Sequence, residues 1–106
     1  MGPVEQSIAD SVQGQFQPEL LQLTNESHMH SVPPGSESHF KLVLVTDQFL
    51  GLRLVQRHQM IYQLLAEQLA GPVHALALHT YTVSEWSETA GGAPDSPNCL
   101  GGSKSN

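Results

Sequence analysis

His39-Phe40-Lys41-Leu42-Val43-Leu44-Val45-Thr46 is the stretch that decides the fold. In an extended chain Phe40, Leu42 and Leu44 share one face, and Lys41, Val43 and Val45 share the other. Both faces are largely apolar towards the far end, which predicts a central strand. Asp47 to Gly51 reads as a turn. Beyond it, residues 53–69 read as the main helix, because Leu54, His58, Ile61, Leu65 and Leu69 fall on one stripe. Gly71-Pro72 supplies its stop. Residues 73–82, VHALALHTYT, form another strand, with His74, Leu76 and Leu78 pointing one way and Ala75, Ala77, His79 and Tyr81 the other. The strand-helix-strand step from 39 to 82 is expected to run parallel with a right-handed crossover.

On the N-terminal side, residues 26–38, ESHMHSVPPGSES, form a loop in which Pro33-Pro34-Gly35 favours a turn. Residues 19–25 read as a short strand with Leu21 and Leu23 alternating against Gln22 and Thr24. Residues 4–16 read as a helix, since Val4, Ile8 and Val12 recur every four residues and Phe16 continues the drift. Pro3 suits a first helical position, Gly14 weakens the last turn, and Pro18 ends the helix. Thr82-Val83-Ser84-Glu85 matches a capping box and predicts a short helix bearing Trp86. Two main helices on one face of a three-stranded mixed sheet is the simplest arrangement, an α+β domain over residues 1–87. Residues 88–106, rich in Gly, Ser, Asn and Pro, read as a flexible tail.

The chain of 106 residues is one small domain, and its formal charge is −6, from 4 Lys+Arg against 10 Asp+Glu. No apolar run is longer than that of Leu42 to Val45, far short of the roughly 20 residues of a membrane-spanning helix. The opening residues lack a basic stretch and an apolar signal core. The cytosol is the default expectation, with the mitochondrial matrix as the alternative if a transit peptide has been removed. A single cysteine, Cys99, excludes an intramolecular disulfide and a cysteine-based zinc site within one chain.

No phosphate-binding loop, nucleophile elbow or paired catalytic carboxylates at helical spacing stand out, so an enzyme is not expected. Cys99 lies in the expected tail and reads as an ordinary free thiol. Six histidines are the more unusual feature. His28 and His30 point to the same side of an extended loop, which suits a metal but equally suits a polar loop lacking further ligands. His58, on the apolar stripe, and His79, in mid-strand, read as packing residues. His39 opens the central strand and is expected to bond the Pro-Gly loop. His74 opens the last strand directly after a helix stop. One chain offers too few soft ligands for an iron–sulfur cluster, so a partner's thiolates would have to complete one.

The segments GSESHF (35–40), Arg57-His58 with Tyr62, and VHALALHTYT (73–82), in that order, closely resemble the BolA family, as do Phe49-Leu50-Gly51 and the ending Ser96 to Gly102. The match runs from about residue 4 to residue 102. The resemblance implies a fold similar to a class II KH domain. It also implies pairing with a monothiol glutaredoxin of the CGFS type and a bridging [2Fe–2S] cluster, one iron of which is held by the glutaredoxin cysteine and glutathione. Carried onto this chain, the second iron takes His74 at the start of the last strand and a loop histidine, His30, with His28 in reserve. A ligand on a loop can close on the metal after docking, so loop mobility is expected to serve function.

The family also contains bacterial members described as transcriptional regulators of stress response and cell shape. The turn FLGLR departs from the GxxG of RNA-binding KH domains. A DNA-binding role would rest on Lys41, Arg53 and Arg57 gathered on one face, a small footprint for a phosphate backbone. The apo protein is expected to be a monomer or weak homodimer.

Overall fold

A computed structural model describes residues 2–29 and 32–89. Its elements follow the expected order: α1 (Pro3–Phe16), β1 (Leu20–Asn25), β2 (His39–Val45), α2 (Leu54–Leu64), α3 (Ala66–Ala70), β3 (Ala75–Tyr81) and α4 (Val83–Ser87). Single 3-10 turns at Ser27–Met29 and Asp47–Phe49 punctuate the two loops flanking β2.

The sheet order is β1-β2-β3, with β2 central, antiparallel to β1 and parallel to β3. The parallel register sets His39 against Ala75 and Val43 against His79. Phe40, Leu42 and Leu44 join Ile8, Val12 and Phe16 of α1, Ile61 of α2, and Leu65 and Leu76 in one core, so the helices cover one face, as expected. On the opposite face Val43 and Val45 are only 2% and 1% exposed although no main helix lies over them. In register they lie between Gln22 and His79, and between Leu20 and Tyr81. Trp86 of α4 packs edge-on against the Tyr81 ring, with centroids 5.2 Å apart.

Two expectations are corrected. The helix expected over 53–69 bends at Leu65, whose φ of −103° and ψ of 24° separate α2 from α3. The backbone bonds continue through the bend, from Leu65 N–H to the Ile61 carbonyl and from Leu69 N–H to the Leu65 carbonyl. Leu65 stays fully buried, so the helix turns while its core contact is kept. Leu54 was expected on the apolar stripe, but it is the first helical residue and is 54% exposed, because the helix has not yet reached the core there. Gly14 does not break α1, which runs to Phe16 and closes on Gln17 in the left-handed conformation. Of the tail expected over 88–106, only Glu88 and Thr89 fall among the described residues.

Candidate functional site

The loop between β1 and β2 is held at both stems. Asn25 donates its side-chain amide to the Ser36 carbonyl at 3.0 Å and accepts the Ser27 N–H at 2.9 Å. The buried Ser27 hydroxyl accepts the N–H groups of Ser38 (2.9 Å) and His39 (3.1 Å). Gly35, at φ 81°, makes the tight turn that brings Ser36 back to the Pro33 carbonyl. Glu37 then leaves the loop sideways: its carboxylate accepts the N–H groups of Val4 (3.3 Å) and Glu5 (3.0 Å). Gly2, the N-cap of α1, has no side chain with which to satisfy these orphan donors, so a distant carboxylate does so.

This pinned stem meets the start of β3. The Ser38 carbonyl accepts N–H groups from both His74 (2.8 Å) and Ala75 (3.2 Å). Val73, just before, is buried in the core, whereas His74 is exposed. The backbone of His74 is thus fixed while its imidazole faces solvent. The His39 ring lies 6.3 Å from the His74 ring, tilted only 10° from parallel, and its Nδ1 sits 2.8 Å from the Ser38 hydroxyl. The structure therefore brings together the histidine that opens β2 and the one that immediately precedes β3, which begins at Ala75 and not at residue 73 as expected. Sequence reading left His39 out of the site, although the expected parallel pairing of the two strand starts carries the signal for it.

His28 is exposed on the 3-10 turn of the same loop. His30 lies outside the described residues. Among the described residues no three His, Cys, Asp or Glu side chains form a metal-holding group. The donor chemistry is compatible with half of a [2Fe–2S] site, an exposed, backbone-anchored imidazole beside a histidine-bearing loop, which a partner's ligands would have to complete.

The remaining histidines belong to the packing. Burial, then the charge on Arg57, pushes the His58 pKa down. Burial, then Lys41, pushes that of His79 down, against a smaller opposing effect of Glu26. His79 Nε2 is buried without a hydrogen-bond partner among the described residues, which favours the neutral ring.

Lys41, Arg53 and Arg57 do not form one basic face. Lys41 lies on the sheet face away from the helices, and Arg53 caps α2 beside an open groove between α2, β3 and α4. Arg57 is only 6% exposed. Its Nε donates to the Leu52 carbonyl at 3.0 Å and its Nη1 to the Thr80 carbonyl at 3.3 Å, while Nη1 and Nη2 both engage Glu85. An arginine committed to four acceptors is a structural tie, and its guanidinium is not presented to a phosphate.

Residues 12–85 match the family model described as BolA-like protein. The chain is 50% identical over 101 residues to the DNA-binding transcriptional regulator BolA of Vibrio cholerae, covering 95% of each. It is 49% identical over 104 residues to BolA-like protein 1 of Pongo abelii, covering 98% of this chain and 75% of that one. The solution structure of BolA1 from Mus musculus superposes with a TM-score of 0.81 at 44% identity, over 95% of this chain and 81% of that one. With its mixed sheet, its helix order and these matches, the chain belongs to the BolA family.

Proposed function

We propose that the chain is a non-enzymatic partner of a CGFS monothiol glutaredoxin, with which it shares a bridging [2Fe–2S] cluster in iron–sulfur trafficking or iron and redox regulation. The observation that carries this reading is His74. It is an exposed imidazole on a backbone fixed by two bonds to one carbonyl, beside a histidine-bearing loop, with no third ligand gathered among the described residues. His74 binds from the sheet, and His30 from the loop, with His28 the alternative loop ligand. A [2Fe–2S] cluster supplies one-electron redox chemistry, and two imidazoles in place of thiolates on one iron raise its potential. The chain holds His74 in place through Ser38 and Val73 and leaves the other iron to the glutaredoxin cysteine and glutathione.

Anaerobic reconstitution with a monothiol glutaredoxin, iron, sulfide and glutathione tests the reading by absorption and EPR. A signal of the imidazole-ligated type, lost in His74→Ala and in one of His30→Ala or His28→Ala, supports it. Identical spectra for wild type and all three variants sink the ligand assignment.

A second reading, DNA binding in transcriptional regulation, is favoured by the name borne by the Vibrio cholerae relative. On this chain it draws on Arg53 and Lys41, since Arg57 is committed internally. Retardation of a promoter fragment by the apo protein, lost in an Arg53→Glu, Lys41→Glu double variant of unchanged stability, supports this reading; retardation unaffected by both changes removes the residue assignment.

A further inference from the structure

We propose that His39 is a positioning residue for His74: it holds the exposed imidazole in its binding orientation before any partner arrives. The inference rests on the reading of His74 as a cluster ligand and adds to it a residue outside the ligand set.

The backbone at His74 is already settled. Val73 is anchored in the core, and the His74 and Ala75 N–H groups share the Ser38 carbonyl. What remains free is rotation of the imidazole about its two side-chain torsions. An exposed side chain that is ordered only on binding loses that rotational freedom at the moment of association, which weakens the complex. A neighbouring flat ring that narrows the choice of rotamers removes much of that loss. The His39 ring is so placed, 6.3 Å from that of His74 and within 10° of parallel. Ring pairs at this separation attract modestly.

His39 is itself oriented. Its Nδ1 is 2.8 Å from the Ser38 hydroxyl, and the Ser38 hydroxyl lies 3.5 Å from that of Ser27. Ser27 is buried and accepts the N–H groups of both Ser38 and His39. Orientation thus passes outward from a buried serine, through Ser38 and His39, to the exposed ring. Ser38 acts twice, fixing the His74 backbone with its carbonyl and the His39 ring with its hydroxyl.

Two replacements separate guiding from ligation. His39→Phe keeps a flat ring and has no nitrogen; His39→Ala removes the ring. In the free chain, NMR couplings report the side-chain torsions of His74. The expected result is one dominant His74 rotamer in wild type, a modestly broadened distribution in His39→Phe, which keeps the ring but loses its bond to Ser38, and averaged rotamers in His39→Ala. In the complex with glutaredoxin, His39→Phe retains the wild-type EPR line shape and cluster lifetime, while His39→Ala broadens the signal and shortens the lifetime about tenfold, the size of supporting-residue effects at metal sites. Thermal unfolding of each variant reports the fold separately. If His39→Phe does not fold, Ser38→Ala decides, since it removes the group that orients His39 and is expected to broaden the His74 rotamer distribution. Unchanged couplings in His39→Ala overturn the proposal, and so does loss of the cluster signal in a folded His39→Phe. Failure of wild type to form any cluster counts against the glutaredoxin reading instead, while the coupling measurement still decides the role of His39.

Discussion

Arg57 and Glu85 meet in a two-point ion pair, Nη1 to Oε1 at 2.7 Å and Nη2 to Oε2 at 3.1 Å, that ties the first turns of α2 to α4. The arginine end is buried and also serves the Leu52 and Thr80 carbonyls; the glutamate end is half exposed. Arg57→Ala orphans two backbone carbonyls and is expected to cost about 2–3 kcal/mol, below the full value of a buried pair because Glu85 can return to water. Urea unfolding measures it. Arg57→Lys recovers little, because an ammonium cannot reproduce the fork. A loss under about 0.5 kcal/mol, the level of an ordinary surface change, refutes the tie.

Glu37 and Gly2 act as one device. A side chain at residue 2 would collide with the Glu37 carboxylate, whose flexible end would have to leave the α1 N–H groups. Glu37→Ala is expected to destabilise by about 1 kcal/mol, the size of a lost cap. Gly2→Ala should cost a similar amount, and the double variant little more than either single one. Simple additivity in this cycle would show that the two positions are independent.

Stability is expected to fall in two stages on acidification. His58 and His79 have lowered pKa values in the folded chain, from burial first. The unfolded chain therefore binds more protons as pH falls through about 6.5, and stability declines from there. Glu85 is held below the usual carboxylate range, chiefly by its bond to Arg57. Its contribution is present above about 4.5 and is lost as pH falls further. Urea midpoints across pH 3–8 should show both stages, and His79→Phe should flatten only the upper one. An unchanged upper stage in that variant would remove His79 as its source.

The DNA reading carries its own quantitative expectation. With the exposed Arg53 and the half-buried Lys41 as the basic side chains not committed internally among the described residues, each bound chain releases few counterions. The logarithm of affinity should then fall with the logarithm of salt concentration at a slope near −2 per chain. Equilibrium retardation or anisotropy from 50 to 200 mM salt, conditions chosen for the test, measures the slope. A slope steeper than about −5 would require a basic surface these residues do not form.

Alternation in Phe40–Val45 and Leu76–Tyr81 made the central strand, its parallel neighbour and the helix-covered face legible in the sequence, because period-two burial is a local property. Thr82 and Glu85 announced α4 in the same local way. The bend at Leu65 was not legible, since the apolar stripe runs through it unbroken. Nor was the second role of Glu85: a capping box names the carboxylate but not the arginine that reaches it from another helix. At the site, His74 stood out for its place after a helix stop. The pairing of its ring with that of His39, and the serines beneath them, emerge only when β2 and β3 lie side by side.

That parallel seam also sets when the site comes into being. The Ser38 carbonyl and the N–H groups of His74 and Ala75 are joined only when the whole of α2 and α3 is looped back, a non-local contact that carries a closure entropy. A nascent or partly unfolded chain therefore carries the same histidines without the geometry that relates them. On the proposed cluster reading, competence to receive iron would be a property of the finished fold, and a chain that has not completed β3 would have nothing organised to offer a metal-bearing partner.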